Sequence, residues 1–478
     1  MAIQKASMQR GLRLAALCCA VGLAVPGMSF NTAAREAGLV APEEQATVRA
    51  SEPVISPSKL LRTGGPSGGG PKVVADRQRV YVSGPLPNSS GNTDFTTIQY
   101  SSKGKQGWVR RYNGPAGGED VPQGMAVDGS GNSYVTGSSA GGSGPTDFAT
   151  VKYAPDGRQE WVRRYNGPAK DYDFPVGVGV DNSGSVYVAG DAGVSENRWD
   201  YTTIRYSPAG KEVWNKRYNG PYQGSSSPAA LYVDPSGYLY VTGHSQSGEN
   251  TYDFATVCYT KTGHLDWVSR YARPDSNYNF PVGLVESGGS VYVAGSTRTK
   301  SGNTSYTVVK YNRKSGKRAW ARHYNSGQGD DDPSAIAAGK NGSVYVTGTS
   351  GRGKFQTIKF NRSGDIGWTR SYTETIDYDR PTAMCSDDAG NVYVTGESQG
   401  DGSGSDYLTI KYTPGGKVLW VRRFNGAGNG DDTPTDIAVD QDGYTYVTGW
   451  SESSQGKNTF ATIRYNPNGG QSWVRYFP

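Results

Sequence analysis

The most regular feature of the sequence is a short apolar segment, typified by Val392-Tyr393-Val394-Thr395-Gly396, that recurs along the chain. Its eight copies end at Gly84, Gly137, Gly190, Gly243, Gly295, Gly348, Gly396 and Gly449. The spacings are 53, 53, 53, 52, 53, 48 and 53 residues. A tryptophan keeps the same period, at positions 108, 161, 214, 267, 320, 368, 420 and 473. Two independent landmarks with one period predict eight copies of a single structural unit.

Each unit is predicted to contain four strands, A to D, as the second copy illustrates. The expected strands are Gln123 to Asp128, Ser133 to Thr136, Phe148 to Tyr153 and Trp161 to Tyr165. Glycine- and asparagine-rich turns link A to B and C to D, which is typical of hairpins. Both faces of these strands carry apolar or aromatic residues, so each sheet needs cover on both sides.

Four short strands per period predict an all-β fold, a β-propeller, because a single blade cannot bury its own faces. We expect eight four-stranded blades over residues 71–478. The alternative is seven blades plus a partial repeat, since the first unit lacks the acidic residue and proline that open strand A elsewhere. The repeats begin with strand A and finish with strand D. Closure should therefore come from packing of blade 8 against blade 1, without a shared sheet.

The first 27 residues have the pattern of a signal peptide. Basic residues precede an apolar stretch, Leu14 to Val25, that is too short to span a bilayer comfortably. We expect a secreted or periplasmic protein, with lipid anchoring at Cys18 or Cys19 disfavoured because neither follows Gly or Ala. Residues 28–70 lack periodicity and predict a flexible leader. No later segment approaches the roughly 20 apolar residues of a transmembrane helix.

Composition agrees with a turn-rich, aromatic-rich β protein: the chain has 67 Gly, 26 Pro, 33 Tyr and 10 Trp. Its formal charge of +6 is too small and too dispersed to indicate nucleic-acid binding. Cys258 and Cys385 fall in different units, so we expect two free, buried thiols. We expect the protein to be a monomer.

The repeats resemble a known family. At Pro434 to Asp440, Tyr446 to Gly449, Phe148 to Tyr153 and Trp161 to Gly167, the sequence resembles the bacterial SBBP family of β-propeller repeats. The resemblance covers about 72–478 and implies a propeller in an exported bacterial protein, with no assigned activity. The family is usually described as seven-bladed, which keeps the alternative blade count open.

A second similarity concerns the tryptophans. The segments Gly210 to Trp214, Gly316 to Trp320 and Gly416 to Trp420 are similar to the tryptophan-docking motif of quinoprotein dehydrogenases. In those enzymes the tryptophan locks adjacent blades. No cofactor constellation accompanies the motif here, so it implies packing rather than redox chemistry. The basic residues of strand D are expected to protect the outer edge and to stack on aromatic rings.

Differences between the copies indicate where function lies. The B–C loops diverge while the A–B and C–D turns stay nearly constant, so the face that carries the B–C and D–A loops is the predicted binding surface. Trp199, Tyr252 and Trp450 each occur once there and are candidate ligand-binding residues. A packing role is the competing interpretation.

A second candidate set precedes the strand A proline by two residues. Its members are Asp120, Asp173, Asn279, Asp331, Asp379 and Asp432, with Ser226 in the fourth unit. On the innermost strand they would ring the channel mouth, where a cation such as Ca²⁺ would relieve the repulsion between carboxylates. The competing interpretation is that each side chain caps its own turn. No other cofactor is expected.

Catalysis has little support, because the chain has three histidines and no pair with metal-ligand or triad spacing. We therefore predict an exported, non-catalytic propeller that binds a carbohydrate, a peptide or a surface component. The alternatives are a glycan hydrolase or lyase that uses channel-mouth carboxylates, a quinoprotein-like dehydrogenase, and a structural envelope protein.

Overall fold

The computed structural model describes residues 70–478 apart from 142–144, 196–197, 275, 299–301, 352, 373–378, 401 and 403. The described residues form 32 strands and one short 3₁₀ helix, Lys340–Gly342. Units 1 and 2 contain β1 (Lys72–Ala75), β2 (Arg79–Pro87), β3 (Thr93–Ser101), β4 (Gln106–Tyr112), β5 (Asp120–Val127), β6 (Ser133–Ala140), β7 (Thr146–Tyr153) and β8 (Gln159–Tyr165). Units 3 and 4 contain β9 (Asp173–Val180), β10 (Val186–Ser195), β11 (Arg198–Tyr206), β12 (Glu212–Tyr218), β13 (Ser226–Val233), β14 (Leu239–Gly248), β15 (Thr251–Tyr259) and β16 (Leu265–Tyr271).

The remaining strands repeat this arrangement. Units 5 and 6 contain β17 (Tyr278–Ser287), β18 (Ser290–Arg298), β19 (Thr304–Asn312), β20 (Arg318–Tyr324), β21 (Asp331–Ala338), β22 (Val344–Ser350), β23 (Lys354–Phe360) and β24 (Ile366–Tyr372). Units 7 and 8 contain β25 (Asp379–Ser386), β26 (Val392–Gln399), β27 (Ser405–Tyr412), β28 (Val418–Phe424), β29 (Asp432–Val439), β30 (Thr445–Glu452), β31 (Asn458–Tyr465) and β32 (Gln471–Phe477).

Every unit is an antiparallel sheet with its strands in the order A-B-C-D. Successive A strands lie beside one another, so strand A is innermost and strand D forms the outer edge. A single parallel bridge between Tyr252 and Tyr278 also joins units 4 and 5 into one eight-stranded sheet. Unit 1 has all four strands, so the described residues give eight complete blades rather than seven and a partial repeat.

The predicted signal peptide, 1–27, and nearly all of the predicted leader, 28–70, lie outside the described residues and stay predictions. The described part of the chain contains no helix with the length and apolar character needed to cross a bilayer.

Strand A is longer than the sequence predicted. In blade 2 it begins at Asp120 instead of Gln123, so Pro122 lies within the strand. Proline lacks an N–H group and is tolerated in edge strands and at bulges. Strand A is an edge strand, and its register with strand B shifts between Pro122 and Gly124. The same shift follows the strand A proline in blades 3 to 8.

Close approach explains the glycine that marks each strand B. A Cβ atom on Gly137 would lie 2.1 Å from the carbonyl oxygen of Val121 in strand A and 2.7 Å from the ring of Phe95 in the preceding blade. A side chain at this position would push either strand A or the preceding blade away, so glycine is required. The landmark therefore marks a point where two blades meet.

The core is divided into eight apolar clusters, one at each junction between neighbouring blades. The cluster between blades 2 and 3, for example, packs Tyr134 and Trp161 against Val188 and Ile204. Each sheet is therefore covered on both faces, as its apolar strands predicted. Cys258 and Cys385 are buried and free in these clusters, which confirms the prediction for the described cysteines.

Each strand D tryptophan docks on the next blade. In blade 2 the Nε1–H group of Trp161 donates to the carbonyl oxygen of Pro208, in the C–D turn of blade 3, at 3.1 Å. Its ring lies against Gly210, whose φ of 79° favours glycine and whose Cβ atom, if present, would be 2.8 Å from the indole. All eight tryptophans make this bond, at 3.0–3.1 Å. The predicted locking of adjacent blades is confirmed.

The basic residue two positions after the tryptophan completes the dock. The guanidinium of Arg163 lies 5.7 Å from the Trp161 ring centre, a cation–π contact, and its Nε–H donates to Gly210 O at 2.5 Å. The stacking recurs at Arg110, Arg322, Arg370, Arg422 and Arg475. These charges are used within the junctions, as predicted.

Blade 8 meets blade 1 through the same contacts. Trp473 Nε1 donates to Ser102 O at 3.0 Å, and Arg475 Nε donates to Gly104 O at 2.6 Å. One of the eight apolar clusters spans this junction. Among the described residues, no strand of blade 8 pairs with a strand of blade 1 in a common sheet. The ring closes by face packing, as predicted.

Asp436 adds a contact that is specific to this junction. The Oδ2 atom of Asp436 accepts the N–H of Val73 at 2.8 Å, and Asp436 is only 1% exposed. The equivalent strand A position is glycine or alanine in the other blades that have the proline: Gly124, Gly177, Ala230, Gly283, Ala335 and Ala383. The carboxylate of Asp436 therefore holds the first strand of the ring against the last blade.

Replacing Asp436 with alanine should destabilise the ring. Ala fits the equivalent position in blades 4, 6 and 7, so the loss is mainly that of the acceptor for a buried N–H, a change that costs about 1–3 kcal/mol. Chemical denaturation measures the free energy of unfolding. The control is Asp442→Ala, which removes an exposed ion pair with Arg77 across the same junction (3.1 Å) and should cost less than about 1 kcal/mol. Equal effects of the two variants would contradict the assigned role of Asp436.

Candidate functional site

The B–C and D–A loops lie together on one face of the ring, which we call the loop face. Asn279, which follows a D–A loop, donates its Nδ2–H to the carbonyl oxygen of Tyr252, which follows the neighbouring B–C loop, at 2.8 Å. The A–B and C–D turns lie on the opposite face, the turn face, where Lys261 of a C–D turn pairs with Asp181 of an A–B turn at 3.2 Å. The predicted grouping of the variable loops on one face is thus observed.

The predicted channel-mouth residues begin strand A and are fully buried. The residues with 0% exposure are Asp120, Asp173, Asn279, Asp331, Asp379 and Asp432. In blade 2, Asp120 Oδ2 accepts the N–H of Gly114, six residues earlier in the D–A loop, at 2.6 Å. The corresponding bonds from Gly167, Ser326 and Gly426 measure 2.5, 2.6 and 2.5 Å. The turn-capping interpretation describes these contacts.

These carboxylates are also hydrogen-bonded to strand B of their own blades. In blade 7, Ser398 Oγ donates to Asp379 Oδ1 at 2.5 Å. Burial raises the pKa of Asp432, and Asp406, at the start of strand C in the preceding blade, adds to that rise. These side chains have no exposed surface, and their predicted role in ligand binding stays a prediction. No group of three or more His, Cys, Asp or Glu side chains in the described residues is arranged to hold a metal ion. Calcium binding stays a prediction, tested by melting with calcium and with EDTA.

Ion pairs between strands C and D are a second structural use of charge on this face. Arg164 pairs with Asp147 at 2.9 Å and donates to the hydroxyl of Tyr112 in the preceding blade at 3.1 Å. Equivalent pairs join Arg270 to Asp253 at 3.1 Å and Arg423 to Asp406 at 3.2 Å. The sequence analysis does not identify these ion pairs.

The three predicted aromatics do not form one site. Trp199 is half-buried in blade 3, and its indole N–H has no acceptor among the described residues. Trp450 packs on Phe460 in blade 8, with ring centres 5.0 Å apart, beside the cluster that joins blades 8 and 1. Only Tyr252 contacts another predicted site residue, Asn279. The predicted set therefore divides between blades 3, 4 and 8.

Tyr252 belongs to a group of four rings that the sequence analysis did not identify. His244 lies 5.4 Å from Tyr252 and 4.6 Å from Phe280, measured between ring centres. Tyr278 lies 5.8 Å from Tyr252 and 4.1 Å from Phe280. Phe280 is 8% exposed, whereas the other three side chains are half-buried. We call these four residues the aromatic cluster; it spans blades 4 and 5 on the loop face.

A comparison of the copies would have found this cluster. The residue after the strand B glycine is Pro85, Ser138, Asp191, His244, Ser296, Thr349, Glu397 or Trp450, and these eight positions hold seven residue types. At the junctions between blades, such a residue contacts the position after the strand A capping residue of the next blade. Ser296 Oγ, for example, donates to Asp332 Oδ1 at 2.8 Å. The side-chain contact at this position thus differs from junction to junction, while the four-stranded blades around it repeat.

Two acidic residues occupy these variable positions at other junctions. Asp332 in blade 6 and Glu397 in blade 7 are half-buried. Burial raises the pKa of both carboxyl groups, and the exposed guanidinium of Arg380 opposes the rise at Glu397. These side chains have the burial that acid–base chemistry requires.

A cavity of about 370 Å³ lies on the turn face between blades 2 and 3. It is bordered by Asp128, Asn132 and Lys152, among others. Asp128 accepts from Asn132 Nδ2 at 2.7 Å, and Lys152 pairs with Glu160 at 2.8 Å. Its charged groups are therefore engaged with one another, and this cavity lies on the face opposite the predicted binding surface.

Asp173 differs from the other capping aspartates in its cross-strand partner. Ala192 stands opposite it in strand B, where blades 2, 6, 7 and 8 have serine. Burial raises the pKa of Asp173 to about 7, although the N–H groups of Gly167 and Gly193 favour the ionised form. The unfolded chain releases this proton near pH 4, so folding is opposed increasingly as the pH rises from about 4 to about 7.

We therefore expect the melting temperature of the wild-type protein to fall as the pH rises from 5 to 8, because of Asp173. Ala192→Ser supplies the hydroxyl donor found in the other blades, and it should lower this pKa and reduce the fall. Asp173→Asn, which copies the natural Asn279, removes the titration and serves as the control. Calorimetry of the three proteins across this pH range measures the difference. Parallel melting curves for wild type and Asp173→Asn would show that Asp173 does not titrate there.

Comparison with known proteins gives matches to repeat families and to solved propellers. No curated protein matches the chain at a significant level. A europium-containing methanol dehydrogenase aligns at 12% identity over 85% of this chain and 86% of its own, with a TM-score of 0.49. A puromycin hydrolase aligns at 12% identity over 83% of this chain and 58% of its own, with a TM-score of 0.47. The β-propeller domain of the Trilobed protease from Pyrococcus furiosus aligns at 7% identity over 75% and 97%, with a TM-score of 0.44.

Family models match the repeats directly. The SBBP beta-propeller repeat matches residues 107–145, 160–195 and 419–454. A beta-propeller domain of unknown function, DUF5122, matches residues 441–469. The three SBBP segments run from strand D of one blade into strand B or the B–C loop of the next, and each contains one docking tryptophan: Trp108, Trp161 or Trp420. Three segments of this chain are therefore similar to the SBBP beta-propeller repeat.

Proposed function

We propose that this propeller is a non-catalytic binding protein whose ligand docks on the loop face. The observation that carries the proposal is the division between repeated and unrepeated residues. The repeated tryptophans, arginines and capping aspartates are used in contacts between and within blades, whereas the half-exposed positions on the loop face change from blade to blade. A rigid frame with variable loops is the usual arrangement of a binding surface.

The ligand classes proposed are a carbohydrate, a peptide or another surface component. We propose that the protein acts outside the cytoplasm, in the periplasm or the medium, because of its predicted signal peptide. We further propose that it acts as a monomer, since the eight junctions already cover both faces of every sheet.

Matched tyrosines on the two faces test this proposal. Tyr222 in a D–A loop is 50% exposed, and Tyr238 in an A–B turn is 38% exposed. Ligands are first identified with a glycan array and by capture of purified envelope and secreted proteins. We expect Trp199→Ala or Tyr222→Ala to weaken at least one detected interaction about tenfold, the effect of losing one aromatic anchor. Tyr238→Ala should leave all of them unchanged. Loss confined to Tyr238→Ala, or to changes at the cavity beside Lys152, would place binding on the turn face.

A glycan hydrolase or lyase is the second candidate function. The observation that favours it is the pair of half-buried acids with raised pKa, Asp332 and Glu397, on the loop face. A raised pKa keeps a carboxyl group protonated to a higher pH, which favours its use as a general acid.

This alternative has its own test. If the chain releases reducing ends from a polysaccharide, Glu397→Gln or Asp332→Asn should lower the rate at least about 100-fold, the usual contribution of a general acid or base. Asp442→Asn, an exposed acid at the blade 8–1 junction, is the control. Activity that survives both substitutions would exclude these acids as the catalytic pair.

A further inference from the structure

We propose that the aromatic cluster of His244, Tyr252, Tyr278 and Phe280 is a carbohydrate-binding site that stacks neutral pyranose rings. The inference rests on the proposed function and names its ligand class and its place on the ring. It concerns one junction, between blades 4 and 5, out of the eight.

Tyr252 stands edge-on to the two other half-buried rings, with 78° between its plane and that of His244 and 74° between its plane and that of Tyr278, so the cluster offers separate ring faces. Phe280 is buried and contacts all three other rings, at 4.6 Å to His244, 5.7 Å to Tyr252 and 4.1 Å to Tyr278. The three other rings are half-buried, so each keeps part of its surface in solvent. Tyrosine and histidine combine an apolar ring with a polar tip. The C–H groups of a sugar ring pack on such faces, and its hydroxyls bond to the tips.

The aromatic cluster is held in place by hydrogen bonds to its backbone. Tyr252 N–H donates to Asn277 O at 3.1 Å, and Asn279 Nδ2–H donates to Tyr252 O at 2.8 Å. The parallel bridge between Tyr252 and Tyr278 joins the start of strand C in blade 4 to the start of strand A in blade 5. The two tyrosines are thus fixed before a ligand arrives, which lowers the ordering cost of binding.

Closure of the ring does not require aromatic residues at this position. Serine and aspartate meet at the equivalent position between blades 5 and 6, where Ser296 bonds to Asp332. Glutamate and threonine meet between blades 7 and 8, where Thr433 bonds to Glu397. Small polar pairs therefore close other junctions on the same frame, and the four rings between blades 4 and 5 are an addition to it.

The distribution of exposed apolar side chains favours a sugar over a peptide. Every exposed large aliphatic side chain among the described residues lies on an outer strand D: Val213, Leu265, Val268, Ile366, Val418 and Leu419. The large apolar residues that are exposed on the loop face are Tyr172 and Tyr222, both in D–A loops next to blades 3 and 4. Protein interfaces bury mixed aliphatic and aromatic cores. An aromatic surface that also carries hydroxyl and imidazole groups instead matches a sugar ring, which presents C–H groups on its faces and hydroxyl groups on its edges.

Titration calorimetry with maltohexaose, cellohexaose and chitohexaose tests the site on the full chain. We expect at least one of these neutral hexasaccharides to bind, and Tyr252→Ala and Tyr278→Ala to raise its Kd at least tenfold. Tyr252→Phe keeps the ring and should stay within threefold of wild type. Tyr238→Ala on the turn face should stay within twofold. Melting temperatures identify any variant that has lost its fold. If an alanine variant has lost its fold, Tyr252→Phe is compared with the wild type instead.

The outcomes separate this inference from the proposed function. No binding of any hexasaccharide at millimolar concentration overturns the inference, as does binding that neither alanine substitution weakens. If a protein ligand, or a glycan whose binding maps to Trp199 or Tyr222, is found instead, the proposed function stands without this site. If every detected interaction maps to the turn face, both fail.

Discussion

The ring depends on one repeated interaction, the docking of each strand D tryptophan on the C–D turn of the next blade. The indole N–H donates to a turn carbonyl, the ring lies on a glycine with positive φ, and in most blades an arginine stacks above. The bond satisfies a donor that would otherwise be buried without a partner. It also fixes the distance and the angle between neighbouring blades. Eight equal steps of this kind return the chain to its starting blade, so closure follows from the geometry of a single junction.

That geometry also explains how the sequence divides its residues. Glycine at the end of strand B, tryptophan and arginine in strand D, and an acid at the start of strand A each contact a neighbouring blade or cap a turn. They recur because each junction needs them. The position beside the strand B glycine is free to change, since junctions close with serine and aspartate in one place and with histidine and phenylalanine in another. Variation is concentrated on the loop face because most of the other repeated positions are committed to packing.

The sequence predicted the fold well because its signal is periodic. Eight glycines and eight tryptophans gave the number of blades, the strand order and the mode of closure. The predicted strand A is too short because it begins after Pro122. In the structure Pro122 lies inside the strand, where a bulge accommodates it. The candidate site was predicted less well. The capping aspartates could not be distinguished from channel ligands, because their burial depends on serine partners in strand B and on amides in the D–A loop. The aromatic cluster was missed because His244, Tyr278 and Phe280 come from two units and meet only when the ring forms.

The closure by face packing has a consequence for how such rings change in number. Many closed assemblies share one sheet between their two ends, so that inserting or deleting a repeat divides a sheet in the middle. Here the boundary between the first and last repeats falls between sheets, as do the other boundaries except the one between blades 4 and 5, which a single parallel bridge crosses. Duplication or loss of a whole repeat in the gene would leave all remaining sheets intact and alter only the angle at each junction. Related rings with one blade more or fewer are therefore reachable in a single genetic event, and the acidic side chain of Asp436 marks which seam in this ring joins the two ends.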